Sequence, residues 1–108
     1  MADAARNRVF SLLTVCRRSG NLLLGFDAVT EAAKLGKVQC ILLAADIAPR
    51  TEKEVRFHCG DIPVRKLPET MEAMQCYFRK RTAVFGVCGQ GFAEKLLTLL
   101  EPDEGLCP

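Results

Sequence analysis

Hydrophobic positions recur at two spacings along this chain, and the spacing switches several times. Between Asp3 and Arg18, Ala5, Val9, Leu12, Leu13 and Cys16 fall three and four residues apart, which predicts a helix with one buried stripe. Gly20 supplies its stop. Leu22 to Leu24 is a short extended run, and Gly25 opens a second helix on which Ala28, Val29, Ala32 and Leu35 keep helical period. Gly36 closes that helix from the usual glycine position after a last turn. Val38 to Ala45 is nearly all apolar and too short for a comfortable helix, which predicts a central strand covered on both faces.

The second half repeats the alternation. Thr51 and Glu54 form a Thr-x-x-Glu capping box ahead of a third helix carrying Val55 and Cys59. Ile62 to Leu67 alternates weakly and contains Pro63, which has no N–H to donate and so belongs at a strand start or sheet edge. Pro68 suits the first turn of a fourth helix, with Met71, Met74 and Phe78 on one side. Thr82 to Cys88 is a second β-branched, apolar run, and Gly89-Gln90-Gly91 leads into a helix with Phe92, Leu96, Leu99 and Leu100 on one face. Strands alternating with helices predict an α/β chain, a small mixed or parallel sheet between helical layers. The pattern contains no internal repeat and no linker.

Composition narrows the class. A chain of 108 residues, 49% hydrophobic and 26% charged, has the length and balance of one globular domain, which excludes wholesale disorder. The longest apolar stretch, Cys40 to Ala45, is six residues, far below the ~20 needed to span a bilayer by helix. Polar residues come before any apolar run at the N-terminus, against a secretory leader. These features predict a cytoplasmic protein with no membrane partner. Fifteen basic and thirteen acidic residues give a formal charge of +2, unevenly spread. Residues 1–40 hold six basic and three acidic groups, whereas residues 94–108 hold one and four. A basic front suits polyphosphate partners, although +2 is too small to argue nucleic-acid binding from charge alone.

Candidate chemistry is sparse. Of six cysteines, Cys16, Cys40, Cys76 and Cys88 sit inside helix-like or strand-like runs, so they read as reduced, buried thiols rather than a disulfide framework. No C-x-x-C pair occurs, and His58, the single histidine, has one cysteine neighbour, Cys59, which argues against zinc. No metal site or cofactor is expected. Gly86-Val87-Cys88-Gly89-Gln90-Gly91 lies between a strand and a helix, where free amides bind anions and a thiol acquires nucleophilic character. No general base is nearby, so the glycines are read as a tight turn and Cys88 as filler. Arg79-Lys80-Arg81 follows Tyr77-Phe78, a mixture of cations and aromatics that suits RNA phosphates and base faces as well as it suits a solvated loop.

Gly25-Phe26-Asp27-Ala28-Val29-Thr30-Glu31-Ala32, then Gly36-Lys37-Val38, then Leu42-Leu43-Ala44-Ala45-Asp46 together resemble the ribosomal L7Ae/L30e superfamily, nearest its bacterial YlxQ-like branch. Arg17-Arg18-Ser19-Gly20, Ile62-Pro63-Val64 and the stretch from Val87 to Leu96 resemble it too. The likeness runs from about residue 9 to residue 97. It implies an α/β fold, a three-layer αβα sandwich with a small mixed four-stranded sheet. Residues 1–100 would form a single domain of that type and residues 101–108 an acidic tail.

The resemblance also implies a non-catalytic protein that binds kink-turn RNA. The N-terminus of the second helix, from Gly25, would enter the RNA beside residues 77–82, which precede the last strand. Partners would be structured RNA, kink-turn-like or ribosomal, with ribosome or translation proteins. Expected RNA-binding residues are Arg18, Gly25, Asp27, Glu31, Lys34, Lys37, Arg79, Lys80 and Arg81. Two, three and six residues after the glycine, kink-turn binders carry Asn or Lys, Glu or Gln, and Lys. Here stand Asp27, Ala28 and Glu31. Asp27 accepts but does not donate, Ala28 does neither, and Glu31 inverts a charge. Asp27 is also suited to cap the second helix, and Glu31 to pair with Lys34. An alternative follows: a protein–protein interaction module on the same scaffold that has lost standard kink-turn recognition.

Overall fold

The first helix needs no partner to begin, but its stripe of apolar side chains needs a sheet to cover it. A computed structural model describes residues 3–100, with side chains from residue 8 onward. The expected acidic tail and the Ala5 side chain lie outside the described residues. Along the chain come α1 (Asp3–Arg18), β1 (Leu22–Leu24), α2 (Phe26–Lys34), β2 (Cys40–Leu43), α3 (Pro49–Cys59), β3 (Val64–Lys66), α4 (Met71–Phe78), β4 (Val84–Val87) and α5 (Gln90–Leu99). The strands form one sheet in the order β1-β4-β2-β3. β4 runs antiparallel to both β1 and β2, while β3 runs parallel to β2. The sheet is therefore mixed, and Pro63 sits just ahead of its edge strand.

Period-two alternation divides the core in two. Cys40 and Leu42 of β2, with Phe85 and Val87 of β4, face a cluster holding Val9, Leu13 and Cys16 of α1, Met74 and Phe78 of α4, and Ala93 and Leu96 of α5. Ile41 and Leu43, with Val84, face Val29 and Ala32 of α2 and Val55 and Cys59 of α3. Helices cover both faces, giving three αβα layers. Gly86, opposite Ile41, faces α2 so closely that a Cβ there would lie 3.1 Å from both Val29 methyls. A side chain at that point would crowd Val29 and force it to give by a few tenths of an ångström.

The local punctuation partly departs from expectation. Gly36, at φ 74, ends α2 in a left-handed turn in which its own N–H donates to the Ala33 carbonyl and that of Lys37 to Ala32. Thr51 is not the cap of α3. Pro49 occupies the first turn behind Ala48, which offers no side-chain cap, because a ring with fixed φ and no N–H starts a helix without needing one. Pro68 likewise lies before α4, whose cap is Thr70, its hydroxyl accepting from the Ala73 N–H at 3.3 Å. Asp46, from the far end of β2, accepts the Met71 N–H at 2.9 Å.

Four burial expectations also need correction. Ala28 and Leu35 are exposed, and Thr30 is buried in their stead, its hydroxyl satisfied by donation to the Phe26 carbonyl at 2.8 Å. α2 stops one residue short of Leu35, so the stripe is narrower than its period suggested. Cys76 is exposed and Cys88 half-buried, while Cys16, Cys40 and Cys59 are buried free thiols. Cys76 is on the side of α4 away from Met74 and Phe78.

Candidate RNA-binding interface

Gly25 is where the sheet hands the chain to α2. Its φ of 107 lies in a region a side chain rarely adopts, and it serves as N-cap with no side-chain bond to the first turn. Its own N–H donates to the Val84 carbonyl at 2.9 Å, which fixes the helix start to β4. Asp27, two residues past the cap position held by Gly25, stands in the first turn instead. The opening amides of α2 consequently point outward without a capping side chain, the arrangement that favours an anion.

The Arg79-Lys80-Arg81 loop arrives at the same point. The Lys80 ammonium donates to the Leu24 carbonyl at 3.3 Å, and its Nζ is 3.5 Å from where a Gly25 Cβ would stand. All three cations are exposed. The loop is aimed by two backbone devices. Arg79 adopts a left-handed conformation, φ 56, and its N–H closes α4 on the Gln75 carbonyl at 2.7 Å. From α1, Arg17 donates to the Phe78 carbonyl at 2.9 Å and lays its guanidinium over the Phe78 ring at 5.7 Å. It ties the end of one helix to the end of another.

The remaining expected residues spread along α2. Asp27 and Glu31 are exposed on its outer surface, and Glu31 makes no ion pair with Lys34 among the described residues. Glu31 and Lys37 line one open depression of about 600 Å³ with Ala28 and Leu35 of the helix and with Gly20. Arg18, in the last turn of α1, is exposed two residues before that glycine. Lys34 stands nine residues beyond Gly25 along the helix, about 13 Å at the standard rise. Gly25 and Lys80 are therefore in contact, with Arg79 and Arg81 flanking. Lys34 and Lys37 form a second cationic end, and the two carboxylates lie between.

Cys88 does not become an activated nucleophile. Burial pushes its thiol up from the ordinary value, with Lys37 opposing, so the thiolate is disfavoured at neutral pH. His58 meets the rings of Phe26 and Phe57. Among the described residues no group of three or more His, Cys, Asp or Glu is placed to hold a metal ion, and no helix is long and apolar enough to cross a membrane.

Sequence reasoning missed two features. The Arg17–Phe78 tie joins residues sixty-one apart and leaves no local signal. Phe26, the first residue of α2, is in edge contact with His58 at 5.9 Å. An aromatic directly after the glycine was the available hint.

Comparison with known proteins bears on this geometry. Residues 7–71 match the family described as ribosomal protein L7Ae/L30e/S12e/Gadd45. The chain is 28% identical to the RNA-binding protein YlxQ of Bacillus subtilis (strain 168) over 94 residues, 85% of this chain and 94% of that protein. It is 26% identical to the Enterococcus faecium protein of the same name, covering 94% and 99%. Among solved structures, a Bacillus halodurans protein of unknown function superposes with TM-score 0.76 at 30% identity, over 84% of this chain and 94% of that one. A Giardia lamblia 15.5kD RNA binding protein shares the fold at TM-score 0.67 and 14% identity, over 92% and 87%.

Proposed function

Because the chain belongs to the ribosomal protein L7Ae/L30e/S12e/Gadd45 family, we propose that it is a non-catalytic RNA-binding protein that docks a structured RNA of the kink-turn type at the start of α2. It would serve the ribosome or another structured RNA as an accessory. The observation that carries this reading is the meeting of Lys80 with Gly25. Two segments distant in sequence bring outward-pointing amides and the Lys80 ammonium to one spot, with the exposed Arg79 and Arg81 as chain neighbours, an arrangement suited to a phosphate. The names of the YlxQ relatives and of the Giardia structure support the same class of ligand.

Asp27 and Glu31 modify the reading. A phosphate contact at position 31 is replaced by repulsion, so the affinity for a standard kink-turn rests on the loop cations and on Lys34, Lys37 and Arg18. The test is titration of a kink-turn RNA and an unstructured control at two salt concentrations. Specific binding that weakens with salt is expected, and Glu31→Lys should tighten it about tenfold or more, one restored charge contact being worth ~1–3 kcal/mol. A wild-type chain that ignores both RNAs overturns the proposal. A second reading, a protein-interaction module, is favoured by Leu35, which is 65% exposed beside Glu31 in the α2 depression. Under that reading Glu31→Lys restores RNA binding to a chain that otherwise has none.

A further inference from the structure

Phe57 is the most exposed large hydrophobic residue among those described, at 82%, and it is not isolated. Its ring meets His58 edge-on at 5.5 Å, and His58 meets Phe26 edge-on at 5.9 Å. Phe26 directly follows Gly25. A row of three rings therefore leads from the proposed phosphate-binding end of α2 across to the last turn of α3. We infer that Phe57 is a stacking platform for an unpaired nucleobase extending from RNA docked at Gly25. This rests on the RNA-binding reading above and identifies which part of such an RNA the protein holds besides its folded stem.

The surroundings select a nucleotide over a protein. Phe57 shares a shallow depression of about 280 Å³ with Arg50, Lys53 and Glu54, residues at three-, four- and seven-residue intervals on one face of α3. Of the three rings only Phe57 is a large exposed hydrophobic, Phe26 being half-buried and His58 polar, which falls short of the apolar centre of several side chains that a protein interface needs. The Phe57 ring is the right size for one base, and Arg50 and Lys53 supply the positive charge a phosphate seeks, against the single carboxylate of Glu54, which is 3.9 Å from Arg50. Tyr77 offers less. It is also exposed, but it is stacked on Phe10 at 4.6 Å with an interplanar angle of 8°, so one of its faces is taken. The contact between Phe57 and His58, at 77°, is an edge contact and not a stack.

The test measures binding of the full chain, by fluorescence anisotropy, to a kink-turn RNA with blunt stems and to the same RNA carrying a short unpaired adenosine extension on each strand end in turn. For one extension, wild type is expected to bind about tenfold tighter than to the blunt RNA, within the range of base–aromatic stacking. Phe57→Ala should bind blunt RNA as wild type does and lose that gain, and Phe57→Trp should keep it. An unchanged melting temperature in Phe57→Ala would exclude a folding defect. If blunt RNA binds and no extension helps, or if Phe57→Ala retains the gain, this inference fails while the proposed function stands. If neither form of RNA binds, both fail. Binding only of an extended RNA, lost in Phe57→Ala, supports the platform and shows the stem contacts to be weak.

Discussion

Single atoms decide several properties here, and Gly86, packed against α2, is one case. Gly86→Ala would bring a Cβ within 3.1 Å of both Val29 methyls. Overpacking of this kind typically destabilises by ~1–3 kcal/mol, and urea unfolding should show it. Trimming the obstacle with Val29→Ala in the same chain should make the glycine substitution easier to bear, a non-additivity that a double-mutant cycle reads directly. Thiols give a second residue-scale prediction. Burial pushes Cys16 up from its ordinary value of 9.0 to about 11, with Cys88 adding to the rise. Cys40 rises to about 12, mainly by burial, with Cys16 adding and Arg65 opposing. Because both folded values lie above the unfolded one, the unfolded chain releases these protons first. Their contribution to stability is complete below pH 9 and is lost as pH climbs towards 11 and 12. Denaturation midpoints measured from pH 8 to pH 11 should fall, and a Cys16→Ala, Cys40→Ala chain should show a shallower fall.

At the scale of elements, the helices meet the site through their ends. Arg17 bonds the last carbonyl of α4 and covers the Phe78 ring, so Arg17→Ala should loosen the 79–81 loop and weaken RNA binding with no cation removed from the loop itself. Arg17→Lys keeps the charge but lacks the flat guanidinium, and a weaker restoration is expected than charge alone would give. Thr70→Ala should cost about 1 kcal/mol by removing the α4 cap, seen as a lower thermal midpoint. These ends are also where sequence reading lost precision. Helix period and strand alternation are properties of neighbouring residues, so the nine elements of the described residues were legible, as were the glycine that ends α2 and the glycine that begins it. The starts of α3 and α4 were misplaced because a helix start depends on what surrounds it. A proline behind Ala48 sufficed for one. For the other, Asp46 reached across twenty-five residues to accept the Met71 N–H. The same limit applies to the site. Gly25 stood out in the sequence, and its meeting with Lys80 was foreseen through a family likeness. Arg17–Phe78 had no local pattern to announce it, and Phe26–His58 had only the aromatic placed directly after the glycine.

For the whole molecule, charge is ordered along the site as cations, carboxylates, then cations again. Salt should therefore weaken RNA binding less steeply than the full count of basic residues implies, since fewer phosphates are neutralised. Glu31→Lys should steepen that dependence as well as raise affinity. Topology adds a constraint in time. Among the described residues β1 has β4 as its one strand partner, and the Gly25 N–H reaches its acceptor on Val84. A ribosome extends the chain from its N-terminus, so everything up to α4 can emerge while the first strand still waits for a neighbour. Competence for RNA is thus postponed until Val84 has been added and has emerged, and nascent chains halted before it should be partly structured yet unable to capture RNA.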